Sequence, residues 1–478
     1  MTFSTIKKLL PLIVAFVVWL LPVPDGLSSN AWSYFALFLG VVVALVLEPV
    51  PVAAAGLIGI VIAVVCRLVA IEPGVEVTTK AAINWGLSGF KNSTVWLIFV
   101  AFMFALGYQK SGLGRRMALF LIKTLGRKSL GMGYAAALAD LVLAPFIPSN
   151  TARSGGTVFP IVNNVPVIYG STPEQGPEKI GRYLCWTGFA ATCVTSSMFL
   201  TSLAPNLLAV SIVEKLLGTE ISWMMWFTGF LPTGIILFLS VPLISYLICP
   251  PTIKLSENIP EWAGKELAEL GPLCSAEKKM ALLALSALLL WIFGGSLMDS
   301  TTVGLLVLCL MLLTGVVNWD DIIGNKQAWN VLIWFATLVT LAGGLGQTGL
   351  LAWFSDEASV LLKGYAPNLV MVLMVLLFFV LHYFFASVTA HVTALLPVFV
   401  QLSVAVPGLS EMKLSLLLCF TLGLMGVITP YATGPGPIWY GSGFIPASTF
   451  WKLGFIMAVV FLAVLILIGL PWINVVVQ

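Results

Sequence analysis

From residue 9 to residue 475 the chain is a succession of apolar runs, most as long as a bilayer is thick, separated by short polar breaks. A helix needs about 20 apolar residues to cross the hydrocarbon core. On that measure spans are expected near 9–23, 31–48, 53–70, 94–109, 183–217, 223–249, 280–297, 301–317, 329–348, 412–444 and 450–475, eleven in all. Soluble domains are excluded by composition, with 59% hydrophobic and 9% charged residues against roughly a quarter charged in soluble proteins. So few charges cannot build a water-facing surface. The expected fold class is an all-α polytopic membrane protein, with the lipid bilayer as its main partner.

The net charge of +3 is small and its carriers are dispersed, so no nucleic-acid surface is expected. Seven cysteines without a CxxC, and only two histidines, give neither a metal centre nor a disulfide framework. No cofactor is expected. Lys7 and Lys8 before the first run resemble a signal peptide, but LPVPDGL follows without a small-residue cleavage site, so the run is expected to be retained. The lack of a transit peptide points to a bacterial inner membrane.

Residues 131–169 and 367–406 differ from the other runs. Each is about forty residues long with a polar cluster at its middle, which fits two full spans or one re-entrant helical hairpin. With the N-terminus inside and both stretches as hairpins, 16 of the 23 Lys and Arg fall on the cytoplasmic side. Arg67, Lys80, Lys91, Lys215, Lys363 and Lys413 fall outside, and Arg153 on neither side. That asymmetry follows the positive-inside rule. It places the C-terminus outside and has the two hairpins entering from opposite faces.

The halves also resemble each other. GYQKSGL (107–113) matches GLGQTGL (344–350), and PSNTARSGGTVFPIV (148–162) matches ASVTAHVTALLPVFV (386–400), at an offset near 237. Each half then has a span broken by proline, TSLAPN at 201–206 and ATGPGPIWYGSG at 432–443. A span, a polar-tipped hairpin and a broken helix, repeated with opposite topology, form the pattern of a secondary transporter.

Irregular backbone at membrane depth is tolerated only inside protein or beside a wet cavity. The four interruptions are therefore expected to meet at one midplane site. Ser149, Asn150 and Thr151 lie at the first tip, Ser387 and Thr389 at the second, and Thr201, Thr433 and Gly434 at the breaks. Hydroxyls, an amide and helix N-termini around two potentially cationic side chains suit a small carboxylate. Those cations are Arg153 and His391, each two residues beyond the Thr of its tip. A cation at membrane depth is costly unless paired or wet, so it is expected to have a function. If both are charged, the empty site crosses the barrier unwillingly and a bound dianion releases it, which is obligatory exchange. Arg153 could instead pair with Asp140, and His391 could be a neutral, backbone-satisfied imidazole.

The SNTAR and SxTAH tips with ITPYATGPGPIWYGSG resemble the divalent anion/sodium symporter family, over nearly the whole chain. They are most similar to its exchanger branch, which includes plastid 2-oxoglutarate/malate translocators and bacterial citrate/succinate and tartrate/succinate antiporters. The resemblance implies a homodimer with scaffold and transport domains moving as an elevator. It assigns 1–130 and 250–366 to scaffold helices, the latter with the charged connector, and 131–249 and 367–478 to the transport part. It also implies that Ser149, Asn150, Thr151, Ser387 and Thr389 hold the carboxylates of C4 or C5 dicarboxylates (succinate, malate, fumarate, 2-oxoglutarate) or of citrate or tartrate. Sodium-coupled members carry Asn where this chain has Val388, which favours exchange over sodium- or proton-coupled symport. An intramembrane hydrolase lacks a GxSxG motif, and a channel has no need of opposed repeats.

Overall fold

The structure is a computed structural model that describes residues 3–69, 77–255, 257–362 and 364–477. Ala70 and Lys363, which figure in the expectations above, lie outside them. All regular structure among the described residues is helical, apart from one isolated bridge between Lys128 and Leu255. The expected all-α fold is what the chain adopts.

Helices α1 (Phe3–Leu20), α2 (Ser29–Leu47), α3 (Val52–Val65) and α4 (Thr79–Gly86) come first. Then α5 (Ser93–Ser111) turns through Gly112, at φ 76°, into α6 (Leu113–Leu125). The first interrupted stretch follows as α7 (Ser129–Leu143), a turn, a wide π-helical segment Thr151–Val158, α8 (Phe159–Val162) and α9 (Asn164–Ile168). Next, α10 (Gly181–Met198) breaks and resumes as α11 (Ala204–Leu217), before α12 (Trp223–Ile248). The connector holds α13 (Asn258–Glu269), followed by α14 (Ser275–Phe293), α15 (Ser300–Leu313) and α16 (Trp319–Gly324). From α17 (Lys326–Gln347) and α18 (Leu350–Leu362) the chain enters the second interrupted stretch, α19 (Pro367–Leu381) and α20 (Val388–Val404). The second broken helix is α21 (Glu411–Leu424) with α22 (Gly436–Gly441), and α23 (Ala447–Val464) and α24 (Leu470–Val476) end the chain. The order span, short helix, interrupted pair, broken helix occurs twice, from α5 and from α17. Among the described residues six helical stretches are long and apolar enough to cross a membrane, and α3, α7, α15 and α20 are shorter apolar helices.

The breaks have local causes. Phe199 and Leu203 are extended (φ −128°, ψ 143° and φ −146°, ψ 128°). Pro205 lacks a donor and is tolerated where it stands, in the first turn of α11. The freed amide of Ala204 donates to Pro148 O at 2.8 Å, so the break is tied to the first hairpin turn.

By packing the chain forms two compact units, each with its own core. The first comprises Met1–Phe99, Leu207–Ile221 and Lys326–Cys419. In it α17 approaches its neighbours through glycines: a Cβ on Gly89 would stand 1.9 Å from Ala336 O, and one on Gly56 2.2 Å from Thr337 Oγ1. Such close backbone approach is how helices gain contact where lipid gives them no hydrophobic drive. The Gly89 amide donates to Thr340 Oγ1 at 2.9 Å, and the Tyr34 hydroxyl to Leu341 O at 2.6 Å.

The second unit comprises Val100–Asn206, Ser222–Asn325 and Phe420–Gln478. Its centre is α10, every residue of which except Arg182 is buried. A Cβ on Gly133 would meet Tyr183 Oη at 2.0 Å, and one on Gly188 would meet the Trp439 ring at 2.3 Å. On a polar surface of this unit α6 and α13 are clamped together. Arg115 pairs with Glu266 (2.8 Å), and Arg127 with Glu257 (3.2 Å). Arg116 reaches Glu277 (2.6 Å) and the carbonyls of Leu270 and Gly271 (3.3 and 2.9 Å).

Glu277 gives a stability prediction. Burial raises its pKa, but bonds from Arg116 and Cys274 and the Arg116 charge outweigh this and hold it below the ordinary value. Asp321, held by the Asn318 amide and by Lys110, is lowered as well. A carboxyl depressed in the folded state stabilises it fully above the unfolded pKa, about 4. That stability is lost as pH falls through the lower, folded value. The melting temperature of detergent-solubilised protein should therefore fall below about pH 4. Glu277→Gln should lower it at neutral pH and flatten the acid limb; an unchanged profile would dismiss the clamp.

Candidate functional site

The polar clusters expected at the two tips are both at helix starts, and their local geometry matches. Ser149 Oγ accepts from the Ala152 amide at 3.2 Å, and Ser387 Oγ from the Ala390 amide at 3.4 Å. One residue on, the Arg153 amide donates to Ser149 O (2.8 Å) and the His391 amide to Ser387 O (3.1 Å). Each serine thus caps its returning segment. The segment's remaining first-turn amides and positive dipole end stay available to an anion.

Within the second unit, the structure brings Asn150, Thr151, Thr433 and Gly434 together. Asn150 Nδ2 donates to Thr433 Oγ1 at 2.9 Å. A Cβ on Gly434 would stand 1.8 Å from Thr151 Oγ1, so that approach requires glycine. Thr151 and Gly434 are exposed, whereas Asn150 and Thr433 are buried beneath them. Behind this face, Trp439 Nε1 donates to Ser154 Oγ at 2.9 Å, and a Cβ on Gly155 would meet Ile438 at 2.4 Å. Thr201 does not share this exposed face. It is buried, its hydroxyl donates to Pro145 O (2.6 Å) and it accepts from Trp223 Nε1 (3.2 Å), so it holds the hairpin turn from within.

Arg153 is fully buried, and each of its five donors has a partner. Nε donates to Asp140 Oδ2 (3.1 Å) and Nη1 to the carbonyls of Ile147 (2.8 Å) and Ser202 (2.6 Å). Nη2 reaches Ser196 Oγ (3.1 Å) and Thr195 Oγ1 (3.4 Å). Thr195 also donates to Asp140 Oδ2. The guanidinium therefore joins the outgoing hairpin arm, its turn, its returning segment and the broken helix. The pairing with Asp140, one of the two roles open from the sequence, is present. Asp140 Oδ1 has no hydrogen-bond partner among the described residues. Sequence reading missed Thr195 and Ser196; their signal was the polar triplet TSS inside an apolar span.

In the first unit, Ser387 and Thr389 are half-buried at the second tip, and His391 is fully buried. Its ring lies edge-on to Phe378 (4.3 Å), Phe385 (5.0 Å) and His382 (5.0 Å). Neither imidazole nitrogen has a hydrogen-bond partner among the described residues, so the backbone-satisfied alternative is not what the structure holds. His382, on the last turn before the tip, is the neighbouring ring. Among the described residues no cluster of His, Cys, Asp or Glu could hold a metal ion.

Comparison with known proteins agrees with this architecture. The crystal structure of the Alcanivorax borkumensis YdaH transporter superposes with a TM-score of 0.56 over 89% of this chain and 97% of its own, at 14% identity. Neisseria gonorrhoeae MtrF, from a class of antimetabolite efflux pumps, matches equally at 0.56 over 89% and 96%, at 13% identity. At such identities the likeness establishes a membrane transporter fold. In sequence the chain is 46% identical over 478 residues to the L-tartrate/succinate antiporters of Escherichia coli strain K12 and Shigella sonnei, covering 98% of each chain. The family model described as sodium:sulfate symporter transmembrane region matches residues 3–478. The chain belongs to that family, as a multi-pass membrane protein.

Proposed function

We propose that this protein is an antiporter that exchanges small dicarboxylates, C4 or C5 dianions such as succinate, malate, fumarate, 2-oxoglutarate or tartrate, without a coupled cation. The observation that carries this is the pair of equivalent serine-capped tips, in a chain alike from end to end to L-tartrate/succinate antiporters. One tip offers Ser149, Asn150 and Thr151, with Thr433 and Gly434 beside them; the other offers Ser387 and Thr389. Each set suits one carboxylate, whose oxygens accept from hydroxyls, amides and helix N-termini. Thr201 supports the first set from behind.

Arg153 stands where an ion-coupled protein would need a cation. Its Nη1 binds two carbonyls from unwound segments, the groups a sodium ion would otherwise coordinate. Asp140 neutralises it locally, which keeps a charge at membrane depth tolerable. His391, at the equivalent position and with neither ring nitrogen bonded among the described residues, is the second group proposed to compensate charge. The repeated order of elements supports an inverted repeat; the family resemblance supports 131–249 and 367–478 as the part that carries substrate as an elevator against scaffold helices in 1–130 and 250–366, in a homodimer. The asymmetry of Lys and Arg supports an N-terminus in the cytoplasm and a C-terminus outside, and the bacterial relatives support a bacterial inner membrane.

Purified protein in sodium-free liposomes tests this. Labelled succinate should enter vesicles preloaded with unlabelled dicarboxylate and not empty ones. Uptake into empty vesicles that needs sodium or a proton gradient would make the protein a symporter instead. Thr151→Val and Thr389→Val should each raise the KM for succinate roughly tenfold or more, as expected for a hydrogen bond lost to a charged group. Wild-type KM in both would remove the tips from the site.

A further inference from the structure

We infer that the second unit holds a second anion station, a cavity where a dicarboxylate waits beside the first hairpin on the face that carries α6 and α13. The inference rests on the transport reading above. The cavity has a volume of about 410 Å³, within the range of small-molecule sites. It lies between the end of α5, the start of α6, the returning arm of the hairpin and α13.

Its lining is rich in donors. Tyr108, Gln109, Asn164 and Trp262 face it, and their side chains have no hydrogen-bond partner among the described residues. Tyr108 is only 4% exposed, and its side chain lines this cavity, so what remains accessible of it opens here. Gly112 and Gly114 open the N-terminus of the 13-residue α6 onto the same space, without a side-chain cap. The Leu113 amide is already bonded to Ser111 Oγ (3.4 Å), so the backbone there presents the next amides of the first turn and the positive end of the helix dipole. Arg115 is the one cation among the lining residues. It is held by Glu266, also in the lining, and their side chains are 56% and 26% exposed. Such a pair is weak, because water screens it.

The arrangement works as a relay. Glu266 occupies Arg115 while the cavity is empty. An arriving dianion displaces that carboxylate from the guanidinium and bonds the Tyr108 hydroxyl, the two amides and the α6 amides. Ile147, whose carbonyl is bound by Arg153, lines the same cavity, so the station reaches the hairpin turn. Acceptors and negative charge are what the lining recognises, and a phospholipid headgroup shares them. A transported dicarboxylate would have an effect on one face only.

The test is the KM for succinate measured separately from each face, in everted and right-side-out membrane vesicles. Arg115→Gln and Tyr108→Phe should raise KM about fivefold or more at the α13 face and leave the opposite face within about twofold. Glu266→Gln should lower KM at the α13 face. Arg127→Gln removes a neighbouring charge that does not line the cavity and should change neither face. Equal shifts at both faces would assign these residues to the central site, and unchanged KM at both faces, or an effect of the variants only on lipid dependence, would also overturn the station. If the wild-type protein exchanges nothing in either vesicle, the proposed function fails and the station with it.

Discussion

Arg153→Ala is expected to abolish exchange and to destabilise the protein. The substitution removes five bonds at once and leaves the Asp140 carboxylate buried without its counter-ion. Removing one partner of a buried ion pair costs about 3–5 kcal/mol. Arg153→Lys should rescue little, because three ammonium donors on a flexible stem cannot reach five acceptors in a planar fork. Stability and transport can be separated by removing both charges. Asp140→Asn with Arg153→Met should recover most of the lost melting temperature, since replacing a buried pair whole is often close to neutral. Exchange should stay absent if the cation itself is needed. A double variant that exchanges at the wild-type rate would reduce Arg153 to a structural tie.

Gly434→Ala is the second large effect. The added methyl would overlap Thr151 Oγ1 at 1.8 Å and sit 3.2 Å from Thr151 Cβ. Gly434 lies in an exposed turn and Thr151 is the exposed first residue of the π-helical segment, so both can shift and the cost in stability should be modest, about 1–3 kcal/mol for overpacking. The cost in transport should be far larger, because the same shift moves the Thr151 hydroxyl and the Asn150–Thr433 bond. A displacement near 1 Å in a positioned site is worth about a hundredfold in rate. Combining Gly434→Ala with Thr151→Ala should relieve the overlap and restore the melting temperature without restoring KM. Wild-type kinetics in Gly434→Ala would show that the close approach of Gly434 and Thr151 plays no part.

Much of this was legible in the sequence because the bilayer allows so few solutions. The interrupted stretches expected at 131–169 and 367–406 are residues 129–168 and 367–404 of the fold. The proline break at 201–206 begins just after α10 and runs into α11, whereas 432–443 holds a turn and the short α22, well beyond the end of α21 at Leu424. Helices α13 and α18 were not read, because a charged or short amphipathic helix carries no apolar run of bilayer length. At the site, sequence repetition identified Ser149 and Ser387 as equivalent, and both turned out to be helix caps. What repetition cannot convey is the surroundings of Arg153 and His391. Asp140 stood out as an acid thirteen residues before Arg153, but the Ile147 and Ser202 carbonyls are backbone and leave no trace in residue type. The aromatic surroundings of His391 come from Phe378, Phe385 and His382, far apart enough in the sequence that nothing in their residue types links them to it.

On the antiport reading, the five-bonded guanidinium also limits what the protein can do for the cell. A sodium ion held by carbonyls can leave, and its departure down a gradient is what lets a carrier accumulate cargo. Arg153 is attached to the chain and cannot leave. On the antiport reading, each inward dicarboxylate is therefore matched by one outward, and no ion gradient is spent. The total internal pool stays constant while its composition follows the two concentration ratios. Such a protein cannot scavenge a scarce acid for a starved cell; it can only swap a waste dicarboxylate for a useful one, and it reverses as soon as the ratios do.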